Sequence, residues 1–110
     1  MDWEPISEDG IWNNINSAYD RMSFAQKRLW ESIKIVPEKW TEESYGKAGD
    51  GFWVVAIMGK CVIWFNDIED GFNQSKYSEY GKISEYLCEQ DELEWAIQNI
   101  LNELGDDYTS

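Results

Sequence analysis

The chain has no histidine. That removes the commonest general base, the usual activator of a serine or cysteine nucleophile, and the commonest metal ligand. A histidine-dependent triad and a histidine-built zinc site are excluded. Cysteine is scarce as well: Cys61 and Cys88 lie far apart and form no metal-binding spacing. Cys61 falls in a stretch of core type, where an inert buried thiol is expected. Cys88 is surrounded by Glu85, Glu89, Asp91 and Glu92, a setting unlike that of reactive thiolates. A buried, reduced pair in a cytoplasmic protein fits this usage, and a single disulfide stays open. No apolar run approaches the roughly 20 residues of a membrane span. The N-terminus, MDWEPISEDG, lacks the basic start and apolar stretch of a secretory signal.

Basic residues are the other shortage. Nine Lys and Arg face 22 Asp and Glu, for a net charge of -13. Residues 1–65 hold 10 acids and 7 bases, whereas residues 66–110 hold 12 acids and only 2 bases, Lys76 and Lys82. A field of this sign repels nucleic acid and anionic membrane and attracts basic proteins. Aromatics, by contrast, are abundant: seven Trp, six Tyr and four Phe. Each buries a large area, so one domain spanning residues 1–110 can build a well-stabilised core.

The pattern predicts an α+β fold. Ser7 suits the N-cap of a helix starting near Glu8, with Glu8 and Asp9 at its positive end. Ile11, Ile15, Ala18 and Met22 fall on one helical face, bordered by Trp12 and Tyr19. Ser23 and Gln26 form a capping-box pair for a second helix. Leu29 and Ile33 continue its apolar stripe, and Pro37 ends it at the latest. The stretch to Trp40 reads as a short edge strand. Gly46, Gly49 and Gly51 mark a loop, and no Lys-Ser/Thr pair follows to make it a phosphate loop.

Residues 52–58 and 61–66 read as a central hairpin turning at Gly59-Lys60. An unbroken register pairs Val54 with Phe65, Val55 with Trp64 and Ala56 with Ile63. It places Trp53 and Trp64 together on one face, where core packing is expected, as it is for Trp12 and Trp30 on the helices. Both hairpin faces are apolar, so each is covered or one is offered to a partner. Asp67–Gly81 reads as an acidic, aromatic loop with a turn at Asp70-Gly71, and Lys82–Tyr86 as a further strand. A final helix, about 90–104, carries the stripe Leu93, Ala96, Ile97, Ile100, Leu101 and Leu104, with Gly105 as its stop and a loose tail after it. The expected fold is therefore an antiparallel sheet of about three to four strands, two N-terminal helices and one C-terminal helix.

Carboxylates are the only abundant reactive groups. Asp67 and Glu69 point the same way on extended backbone, with Asp70 beside them. A divalent-cation site, an acid/base pair and a solvated turn are the three readings. A calcium loop aligned on Gly71 places Ile68 third and Tyr77 twelfth, where oxygen ligands are needed, so that template fails. No residue pairs with a carboxylate to divide acid and base roles, and the chain reads as non-enzymatic, with no cofactor.

Trp95 is the sharpest single residue. At about 100° per residue it falls opposite the apolar stripe of the last helix, beside Asp91, Gln98, Asn99 and Asn102. It is either a partner anchor with a polar rim or a side chain covered by the N-terminal segment through Trp3 or Pro5. Asp91, Glu92 and Glu94 suit the helix start, but Glu103, Asp106 and Asp107 oppose the dipole at its end.

In this profile of small size, acidity, tryptophan content and missing catalytic set, the chain resembles the immunity proteins of bacterial toxin systems. The resemblance implies a non-enzymatic inhibitor of a basic partner such as a toxin nuclease. It would use Asp67, Glu69, Asp70, Asp91, Glu94 and Trp95 as contacts. A cytoplasmic interaction module dimerising through an aromatic sheet face is the alternative, and a carboxylate metal-binding protein the third.

Overall fold

A computed structural model describes residues 4–43 and 51–109, with side chains up to Gly105. The elements are α1 (Glu8–Arg21), α2 (Phe24–Ile33), β1 (Lys34–Trp40), β2 (Phe52–Met58), β3 (Cys61–Asn66), β4 (Gly71–Lys76) and α3 (Leu93–Thr109). The strands form one antiparallel sheet in the order β1-β2-β3-β4. This is the α+β class that the sequence predicts.

Both N-terminal helices start where their caps direct. The Ser7 hydroxyl accepts from the Gly10 amide at 3.0 Å. At α2, Ser23 and Gln26 make both bonds of a capping box. The chain then passes straight into β1 at Lys34, ahead of Pro37, so the strand is longer than expected and contains the proline. Pro37 is tolerated because β1 is an edge strand whose pairing with β2 is irregular between Lys34 and Glu38.

The hairpin has the expected ends, but its register is broken. Ala56 faces Ile63, whereas Val54 faces Trp64 and Trp53 faces Phe65. Val55 is the extra residue. Because side chains alternate along a strand, one bulged residue exchanges the two faces beyond it. Trp53, Val55, Ala56, Ile63 and Phe65 consequently join the core under the helices, with Ile11, Ile15, Trp30, Leu93 and Ile97. Phe52, Val54, Val62 and Trp64 join a second core on the other side, with Trp40 and Ile83. Trp53 and Trp64 thus lie on opposite faces. Trp12 is 37% exposed rather than core; Trp30 is buried as expected.

Two segments after the hairpin differ from prediction, one within the expected acidic loop and one just past it. Residues 71–76 form β4, paired with β3 along its whole length. Its sequence, GFNQSK, lacks β-branched residues because its polar side chains have partners. Asn73 binds the backbone of Glu89 through both its amide and its carbonyl, and Ser75 donates to the Glu85 carbonyl at 3.0 Å. The same Ser75 hydroxyl accepts from the Trp64 indole at 2.9 Å. Lys82–Tyr86 is not a strand. Residues 77–92 form a strap in which Lys82 makes only isolated bridges, to Thr41 and Glu79. The strap lays Tyr77, Ile83, Tyr86 and Leu87 over the second sheet face, then follows β4 into α3.

The last helix begins at Leu93 and continues through Gly105 to Thr109. Gly105 keeps helical geometry, at a cost of about 1 kcal/mol relative to alanine, and does not stop it. Both cysteines are free; Cys61 is half-buried and Cys88 exposed, which corrects the expectation of a buried pair. Gly46, Gly49 and Trp3 lie outside the described residues.

Candidate partner-binding groove

Gly71 fixes how closely the strap approaches the sheet. A Cβ there would stand 2.4 Å from the Glu89 carbonyl oxygen and from the Gln90 Cα. The Phe72 amide donates to the Asp91 carbonyl at 2.8 Å, locking the strap to the start of β4. The lock leaves two hollows, one on each side of Phe72 and Asp91, which line both.

The first, of about 510 Å³, lies between β4, the strap and α3. Its acids are Glu89, Asp91 and Glu103, and its amides come from Asn73, Gln74, Asn99 and Asn102. The second, of about 400 Å³, adds Asp70, Glu92 and Arg21. Among the described residues Arg21 is the one base lining either hollow, and it is occupied. Its guanidinium donates to both carboxylate oxygens of Glu94, at 2.6 and 3.1 Å, and meets Glu92 at 2.5 Å. Burial alone would raise the Glu94 carboxyl above the usual glutamate range. The hydrogen bond from Arg21, a backbone hydrogen bond and the charge of Arg21 together outweigh it and hold that carboxyl below the range. The bond to Glu94 likewise raises Arg21. Among the described residues, no cation pairs with Glu89, Asp91 or Glu103.

The six sequence-predicted contacts divide accordingly. Asp91 is half-buried at the junction of the hollows, and Asp70 is exposed at the rim of the second, with a left-handed φ of 60°. Trp95 is 56% exposed on α3, one turn from Asn99 and therefore beside the first hollow. Glu94 is buried and held by Arg21, which leaves it little to offer a partner. Asp67 is half-buried and accepts from the Ile6 amide at 2.7 Å, so it anchors the N-terminal segment. Glu69 shares the Asn66 turn: the Ile68 and Glu69 amides both donate to the Asn66 side-chain Oδ1, at 3.0 and 3.1 Å.

The same N-terminal segment meets Trp53, whose indole donates to the Ile6 carbonyl at 2.9 Å. Pro5 is exposed, and Trp95 keeps an open face. Glu89 and Glu103 belong to the groove but not to the predicted set. Glu89 stands beside Cys88 and Glu103 flanks the α3 stripe about two turns beyond Ala96, as the sequence shows, but the wall that brings them together is β4. Among the described residues, no three His, Cys, Asp or Glu side chains gather to hold a metal ion, and no helix is long and apolar enough to cross a membrane. The chain matches no protein-family model, no curated protein and no solved structure.

Proposed function

We propose that this is a non-enzymatic binding protein that takes a basic protein partner into the acidic groove between β4 and α3. Inhibition of a toxin nuclease, in the manner of an immunity protein, is the specific form of that reading. The observation that carries it is the grouping of Glu89, Asp91 and Glu103, with no cation paired to them among the described residues, together with an exposed Trp95 one helical turn from the groove-lining Asn99. Carboxylates of this kind steer a cationic partner and speed association, and an aromatic anchor slows its departure. The hollow has the volume of a site that admits a few side chains, consistent with Lys or Arg side chains that would otherwise hold phosphate.

The homodimer through an aromatic sheet face loses its surface, because Trp64, Phe52 and Val62 lie beneath the strap. The test is binding to the product of the neighbouring reading frame, and to basic nuclease domains, by calorimetry at rising salt. Tight, salt-sensitive binding that disappears in the Glu89→Lys, Asp91→Lys, Glu103→Lys variant supports the reading. Binding that the triple reversal leaves unchanged contradicts it.

A further inference from the structure

Three of the exposed large apolar side chains, Trp12, Phe24 and Val36, lie away from the acidic groove. All three border the face made by α1, α2 and the start of β1. Between these elements runs an open hollow of about 500 Å³, with Trp12, Tyr19, Trp30, Ile35 and Val36 along it. At the far end of the same face, past Tyr19 and Glu31, Phe24 stands 77% exposed as a knob. Knob and hollow are thus next to each other on one surface.

Charge runs along this face in the same direction. At the knob end, Lys27 lies over the Tyr19 ring at 4.9 Å and Arg28 over the Phe24 ring at 5.8 Å. Neither has a carboxylate partner among the described residues; Glu31, which borders the knob end, is paired with Lys34. At the hollow end, Glu8 and Asp9 stand exposed one turn before Trp12 on α1. Lys34 there is already held by Glu31 at 2.7 Å.

A surface with a knob and bases at one end, and a hollow and acids at the other, is complementary to itself after a half-turn. That is the condition for an isologous two-fold contact. Two copies at net charge -13 repel each other elsewhere, and this face is where opposite charges can be opposed. We propose that a second copy of this chain docks here, Phe24 of each entering the Trp12–Val36 hollow of the other, with Lys27 and Arg28 against Glu8 and Asp9. This proposal stands independently of the basic-partner reading.

Sedimentation equilibrium of the full chain over a wide concentration range tests it. The expected result is a concentration-dependent dimer that Phe24→Glu weakens by at least about tenfold, as loss of a central aromatic anchor does. Because Phe24 is exposed, circular dichroism should show the variant folded. The paired reversals Glu8→Lys with Asp9→Lys, and Lys27→Glu with Arg28→Glu, should each weaken the dimer, and all four together should restore it. A chain monomeric at every concentration overturns the proposal, even if it binds an acidic peptide through Lys27 and Arg28. So does a dimer indifferent to Phe24→Glu, or a fourfold variant that fails to recover.

Discussion

The Arg21 guanidinium grips both oxygens of Glu94, joining the last turn of α1 to the first turn of α3. The clasp connects the two helices whose packing supports the acidic groove. Glu94 titrates below its ordinary range in the folded protein. Its contribution to stability is therefore complete above the unfolded-state pKa and is lost as pH falls through the lower folded-state pKa. Denaturant unfolding measured from neutral to acidic pH should show stability falling on acidification. Glu94→Gln should be less stable than the wild type at neutral pH and should show a shallower acid decline.

The Val55 bulge separates two tryptophans that an unbroken register would place together. Trp64 is fully buried with its indole bonded to Ser75, while Trp53 is only half-buried. Trp64→Ala should cost about 3–5 kcal/mol, the usual range for truncating a buried large aromatic. Trp53→Ala should cost clearly less. Chemical denaturation of the two variants gives the comparison, and equal losses would argue against the exchanged faces.

Gly71 controls the groove wall. Gly71→Ala would drive a methyl group into the Glu89–Gln90 backbone, and the expected destabilisation is about 1–3 kcal/mol from overpacking. Hydrogen exchange should show lost protection at the Phe72 amide, which bonds to Asp91. Protection there equal to that of the wild type would mean the strap does not depend on this contact.

The α2 cap gives a local check. Ser23→Ala removes the oxygen that accepts from the Gln26 amide at 3.2 Å and should cost about 1 kcal/mol, read as a lower midpoint of thermal or denaturant unfolding.

Elements encoded by local chemistry are legible in the sequence. The two helix starts follow from Ser7 and the Ser23–Gln26 pair, and the hairpin ends follow from Gly59-Lys60 and the aromatic runs beside them. What is not legible depends on partners distant in sequence. Residues 71–76 look like loop because Asn73 and Ser75 are polar, and only the returning strap gives those side chains their bonds. Lys82–Tyr86 looks like strand because Ile83 and Tyr86 are apolar, yet they cover a sheet face instead of extending it. Of the site, Asp91 and the open Trp95 are legible from helical phase. The internal roles of Glu94 and Asp67 are not, because Arg21 and Ile6 approach from the opposite end of the chain.

The most direct measurement is the association rate of the chain with a basic partner domain, with and without Asp91→Lys, at two salt concentrations. Asp91 lines both hollows and has no internal cation among the described residues. The account predicts fast association in the wild type that slows with salt, and a much slower, less salt-dependent rate in the variant. An unchanged rate in Asp91→Lys would contradict the acidic groove as the binding surface.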